Sequence, residues 1–233
     1  MNKFIDFNLI PSNLTNVKID IGLSYNAPQS NIWLSKENNI VVFGFEPNPD
    51  SIISLQNGNI KKRNNSHGEP LNNKYIKENR FFLIPCALSS KEGTLDFYVN
   101  KNDCGTSSLY KPKNEILGDL EKIIKVPVFT LKDFFDIFPW DRFSYIDYIK
   151  IDAQGSDLDI LKGAENYLTE RVVYITAEPD GHQYYGADSC NKSNIKEYME
   201  SINFIEINHP NTIDPTYINK NFYHVRDIFI CQR

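Results

Sequence analysis

The chain has no apolar run approaching the ~20 residues that a membrane-crossing helix needs. Its first ten residues mix apolar with polar and charged positions, unlike an export signal. Neither a membrane span nor export is expected. Cysteine is sparse: Cys86, Cys104, Cys190 and Cys231 are scattered, with no CxxC pair among them, which fits a reducing, cytoplasmic setting. Basic charge is also short. A net charge of −5 and a pI near 5.4 argue against sequence-independent nucleic-acid binding, which needs a cationic footprint to displace counterions from phosphates. The run Lys61-Lys62-Arg63 is the local exception, and its Asn-rich surroundings, bounded by Ser66, Gly68 and Pro70, read as a solvated loop. Internal repeats and low-complexity linkers are absent.

What is present fits a chain able to bury a core of its own. A hydrophobic fraction of 41% against 24% charge lies inside the globular range. The 233 residues are read as one domain spanning 1–233. Residues 1–15 are an N-terminal extension, and 57–80 and 100–125 are polar insertions of the kind that carry function.

Short apolar runs rich in β-branched and aromatic residues alternate with helical or polar segments, which is the signature of a doubly wound parallel α/β sheet. Strands are predicted at Val17–Ile21, Ile40–Phe45, Phe81–Pro85, Ile146–Ile151, Val172–Ala177, Phe204–Ile207 and Asp227–Cys231. Helical spacing covers Ser51–Gln56, Lys132–Ile137, Asp157–Leu168 and Asn194–Ile202. Gly93–Val99 and Lys125–Phe129 read as an added hairpin or edge.

In such sheets ligands bind beyond the carboxyl ends of the strands. After the first strand, Gly22 allows a sharp turn and a close approach of backbone to ligand. It is one glycine where a dinucleotide fingerprint has three, which disfavours a nicotinamide oxidoreductase. After the second strand, Glu46 is followed by Pro47. A carboxylate at that strand end can accept both hydroxyls of an adenosine ribose.

The fourth strand runs Lys150-Ile151-Asp152-Ala153-Gln154-Gly155 into a segment ending Leu161-Lys162-Gly163-Ala164. This string closely resembles the FkbM methyltransferase signature, a strand ending K-I-D-x-E-G followed by a helix E-x-x-x-L-K-G-A. The resemblance extends to Gly44-Phe45-Glu46-Pro47-Asn48-Pro49, Ala87-Leu88-Ser89-Ser90, Gly93-Thr94, Thr106–Leu109 and Val126–Leu131, in family order. It implies a Rossmann-like class I methyltransferase sheet of order 3-2-1-4-5-7-6 with the last strand antiparallel. The implied cofactor is S-adenosyl-L-methionine (SAM), leaving S-adenosyl-L-homocysteine as product. By position, Asp20, Gly22 and Ser24 would line the methionine part, and Glu46 with Pro47 would hold the ribose. Cys86, Ala87 and Leu88 would flank the adenine, and Asp152 and Gln154 would face the methyl group and the acceptor. The implied acceptor is a hydroxyl on a sugar, glycan or natural-product-like small molecule. Its pocket would come from Asn100–Lys125 and His182–Cys190.

Two positions depart from the family pattern. Asn26 stands where the first loop ends in glycine, with Ser24 in place of the usual Asn; asparagine tolerates the left-handed backbone such a loop needs. Gln154 replaces a glutamate, and an amide is no carboxylate base. Asp152 or His182 is therefore the expected base, with Tyr184 and Tyr185 free to stack on a substrate ring. A divalent cation held by Asp152 and Glu178 is a second route to acidifying the acceptor. The changes at Asn26 and Gln154 also permit a module that binds SAM or a nucleoside without turnover.

Overall fold

The computed structural model describes residues 1, 3–58, 68–208 and 214–225. Its strands are β1 (Asn16–Ile21), β2 (Ile40–Phe45), β3 (Phe81–Ile84), β4 (Ala87–Leu88), β5 (Gly93–Asn100), β6 (Leu120–Phe129), β7 (Ile146–Ile151), β8 (Val172–Ala177), β9 (Phe204–Ile207) and β10 (Thr216–Asn219). The helices are α1 (Pro28–Lys36), α2 (Pro49–Asn57), α3 (Lys74–Lys77), α4 (Asn114–Leu117), α5 (Leu131–Phe135), α6 (Asp157–Lys162), α7 (Tyr167–Arg171) and α8 (Lys192–Ser201). None of the described helices is long and apolar enough to cross a membrane.

Seven strands form one sheet of order β3-β2-β1-β7-β8-β10-β9. Its pairings are parallel except at β10, which runs antiparallel to both β8 and β9. Counted within this sheet, the order is the expected 3-2-1-4-5-7-6. The seventh strand in chain order is Thr216–Asn219, between β8 and β9, a short run that the sequence pattern did not single out. The expected strand Asp227–Cys231 and the basic run Lys61–Arg63 lie outside the described residues.

Helices cover both faces of the sheet, so β2 and β8 are buried at every residue and read as continuous apolar runs. The period of two then sorts their side chains. Val41, Phe43 and Phe45 join Val17, Ile19 and Ile21 in the core on one face, while Ile40 and Val42 meet Trp33, Leu34 and Tyr75 on the other. Phe134 anchors the first core, its ring 5.2 to 6.2 Å from those of Phe7, Phe43, Phe45 and Phe138.

The expected helix Asp157–Leu168 is two helices. Gly163 packs against the backbone of Ser89, where a Cβ would come within 2.4 Å of the carbonyl oxygen. Its own carbonyl accepts the Lys132 N–H at 3.0 Å, and Glu165 then turns the chain at φ +51°. The expected hairpin is present and longer: β5 pairs antiparallel with β6, and β4 adds to the other edge of β6 in parallel.

Candidate functional site

Strand register assembles the site. Ile21 is level with Phe45 and with Ile151, and Ile151 is level with Ala177. The next residue of each strand therefore falls in one row along the carboxyl edge: Gly22, Glu46, Asp152 and Glu178. All four line a single cavity of about 380 Å³, within the size range of small-molecule sites.

Gly22 has φ +81°, and a Cβ there would lie 1.8 Å from the Asp152 carbonyl oxygen. The N–H of Asp152 in turn donates to the Ile21 carbonyl at 3.0 Å. The first and fourth strand ends are thus in backbone contact, and a side chain at position 22 would part them. Further along the loop the left-handed residues are Ser24 (φ +55°) and Ala27 (φ +44°). Asn26 is not among them, which corrects the expectation drawn from its glycine-like position. It is buried, lines the cavity, and its carbonyl accepts the Leu71 N–H at 2.8 Å.

Asp20 stands behind the cavity wall. It is 1% exposed, and its Oδ2 accepts from the N–H (3.1 Å) and the hydroxyl (2.6 Å) of Ser30 in the first turn of α1. Its other oxygen is 3.7 Å from the Lys150 ammonium. Asp20 is not among the residues lining the cavity; it fastens α1 and Lys150, because one residue before the strand's end it points to the helix layer.

Glu46 is buried, and one of its oxygens accepts the Asn48 N–H at 2.9 Å. Burial pushes its carboxyl up to about 8 despite that bond. Pro47, Cys86, Ala87 and Leu88 continue the lining beside it. The wall here is largely apolar, with a single buried carboxylate as its polar mark.

At the other end, burial alone would lower the Lys150 ammonium, but the carboxylates of Asp152 and Asp20 outweigh it and hold it above its ordinary value. Its Nζ is 3.0 Å from Asp152 Oδ2. For Asp152, burial works upward, yet Lys150 and the bonds from Glu178 and Gln154 leave it below the usual carboxylate range. Glu178 goes the opposite way, up to about 10, through burial and then the Asp152 charge. Two carboxyls this close share a proton, and Glu178 carries it. Gln154, at φ +54°, bridges them: its Nε2 donates to Asp152 at 2.6 Å and to Glu178 at 2.9 Å. The Lys150 ammonium, 3.0 Å from Asp152, already supplies positive charge beside this pair and would repel a metal ion there, so the Asp152/Glu178 pair does not fit a metal.

The His182 expectation is not met by the geometry. The residues Gly181–Gln183 form a 3-10 turn that brings Gln183 to the cavity and leaves the His182 side chain exposed, its carbonyl accepting from Lys113 at 2.8 Å. Tyr184 is fully buried rather than free to stack, and Tyr185 is exposed with Lys111 and Lys113 5.9 and 5.8 Å from its ring centre. Of the two insertions expected near the mouth, 100–125 contributes Cys104 to Ser107 and Leu109 to the lining. Lys150 joins the site without a role implied by its motif; its signal in the sequence is a charged residue inside a strand otherwise carrying Ile146, Ile149 and Ile151 with one further charge, Asp147.

Comparison with curated proteins and with solved structures yields no match. The model of the methyltransferase FkbM domain matches residues 23–228, a span that includes every strand of the sheet after β1 and three of the four residues of the row, Glu46, Asp152 and Glu178. The motifs and the strand order agree with that match, and the chain belongs to the FkbM methyltransferase family.

Proposed function

We propose that the cavity binds S-adenosyl-L-methionine and that the protein methylates a hydroxyl of a sugar, glycan or natural-product-like small molecule. The observation that carries this reading is the row of Gly22, Glu46 and Asp152 on one cavity. Glu46 is a buried carboxylate beside Pro47, Cys86, Ala87 and Leu88 in the wall and suits the two hydroxyls of a ribose. The backbone at Gly22 leaves room for a ligand chain to pass, and Cys86, Ala87 and Leu88 offer an apolar flank to a purine. When bound, the cofactor supplies an electrophilic methyl on a sulfonium.

The chain's own residues then align and deprotonate. Alignment of methyl donor and acceptor can contribute up to roughly 7–11 kcal/mol of barrier reduction. Asp152 carries the negative charge at the rim and is the group positioned to receive the hydroxyl proton. Lys150 holds it ionised at the cost of basicity, so proton transfer is late, after the oxygen has begun to bond to carbon. Gln154 fixes the carboxylate's orientation. S-adenosyl-L-homocysteine is the product.

Calorimetry with SAM and with S-adenosyl-L-homocysteine tests the donor, and Glu46→Ala should abolish binding. Failure of the wild type to bind either at millimolar concentration removes the proposal. The weak basicity of Asp152 and the amide at Gln154 favour one alternative, a module that binds donor without turnover. Labelled SAM with a panel of hydroxylated sugars separates the two.

A further inference from the structure

A second cluster lies apart from the cavity lining. Asp157, at the start of α6, meets Asp180 and Cys190, which bracket the loop after β8. One carboxylate oxygen of each aspartate and the cysteine sulfur lie within 4.8 Å of one another, and all three residues are buried. Asp157 is held from behind, its Oδ1 accepting the Glu178 N–H at 3.0 Å and its Oδ2 the Ala153 N–H at 3.2 Å. Asp180 is different. It is 4% exposed, and neither of its oxygens has a hydrogen-bond partner among the described residues. The N–H groups of Gly155 and of Asp180 itself lie near enough to ease its burial, but neither is aligned as a bond. A carboxylate buried without donors costs several kcal/mol unless a proton or cation accompanies it.

The loop is built to deliver these side chains together. The Gly181 N–H donates to the Cys190 carbonyl at 2.9 Å, and the Cys190 N–H to Ala187 at 2.8 Å. A Cβ on Gly181 would lie 2.0 Å from the Ala187 carbonyl oxygen, so only glycine lets the ends of the loop close. Charge points the same way: Asp180 and Asp152 are the acidic neighbours of Asp157 across this region.

We propose that Asp157, Asp180 and Cys190 form a buried binding site for a zinc-class divalent ion, which pins the 180–190 loop to the start of α6. A thiolate with two carboxylates selects zinc or a neighbouring transition metal over magnesium or calcium, which take all-oxygen shells. Zinc–sulfur bonds of about 2.3 Å and zinc–oxygen bonds of about 2.0–2.2 Å set tetrahedral ligand atoms ~3.6 Å apart, so side-chain shifts of about an ångström complete the site. Binding displaces the thiol proton to solvent; that thiol now lies 3.7 Å from the Glu178 carbonyl. The consequence reaches the cavity, because the same loop carries Gln183 into its wall and Tyr184 against Gln154.

The full-length protein, stripped with a chelator, is titrated with Co²⁺ and separately with Zn²⁺. The expected result is stoichiometric binding, a thiolate-to-cobalt band in the near ultraviolet, and a melting temperature that rises with zinc. The band should vanish in Cys190→Ser and persist in Cys231→Ser. Zinc should bind Asp180→Asn more than about 100-fold more weakly, since even outer-shell changes cost 10–100-fold. Wild type that retains no metal after gel filtration, or a cobalt band unchanged in Cys190→Ser, overturns the site. If Cys190→Ser does not fold, the comparison of wild type with Asp180→Asn decides alone: equal zinc affinity overturns the site as well.

Discussion

The hydroxyl of Tyr184 lies 2.6 Å from Oε1 of Gln154, and this contact decides which end of the amide faces the two carboxylates. The phenol also lies 3.0 Å from the Thr106 carbonyl, tying the 100–125 insertion to the same point. Burial and then the surrounding acids raise the phenol above its ordinary value, so it remains a donor. A residue expected to stack on substrate is instead the support for the residue that supports Asp152.

Tyr184→Phe removes the donor from Gln154 and from Thr106 while keeping the ring. A loss of about 1–3 kcal/mol in urea unfolding is expected, the cost of leaving buried acceptors unpaired. Donor affinity measured by calorimetry should change little while turnover falls. Equal stability of variant and wild type would show that the hydroxyl bears no part of the network.

Lys150→Met leaves Asp20 and Asp152 without their shared cation. Breaking a buried pair typically costs 3–5 kcal/mol, and the partial opening of Lys150 and Asp152 to the cavity reduces this to about 2–3. The sign with pH follows from Asp152. Its folded pKa is lowered, so the stability it contributes is present above the unfolded value and is lost as pH falls through the folded one. The variant's deficit should therefore be full at neutral pH and shrink in acid, which denaturation at a series of pH values reads directly.

Glu46 titrates in the opposite sense. Its folded pKa of about 8 stands above the ordinary 4.5, so its contribution to stability is complete below the unfolded value and disappears as pH rises through about 8. If the ionised form accepts two ribose hydroxyls, donor binding near neutral pH expels a proton. The heat of SAM binding should then depend on the ionisation enthalpy of the buffer, and Glu46→Gln should lose that dependence. Identical heats in phosphate and Tris for the wild type would remove Glu46 from the ribose site.

Gly22→Ala places a methyl 1.8 Å from the Asp152 carbonyl at φ +81°. Relief requires the first and fourth strand ends to separate, and a loss of about 3 kcal/mol or more is expected in urea unfolding. A variant within about 1 kcal/mol of wild type would mean the row of strand ends tolerates rearrangement.

Much of this was legible in the residues themselves. Runs such as Ile40–Phe45 and Val172–Ala177 declare buried strands because a doubly covered sheet selects mostly apolar, β-branched and aromatic residues there. Gly22, Glu46 and Asp152 could be picked out because each follows such a run directly. Helix α1 carries no legible stripe because its polar residues mask it, and the break at Gly163 has no local signal because its cause is the backbone of Ser89, far away in sequence. Gln154 looked like a plain loss of a carboxylate; its role as a bridge required Glu178 and Tyr184 to arrive from another strand and another loop.

Local periodicity and the chemistry of the strand ends are properties of neighbouring residues, so the amino-acid order alone determined six of the seven strands of the sheet, the family, and the row of residues at the carboxyl edge. Direction was decided only in three dimensions. Asp20 turned to Ser30, His182 to the outside and Tyr184 inward, and Asp157, Asp180 and Cys190 came together, because each of those outcomes depends on how a distant segment packs against the residue, and no local pattern encodes that.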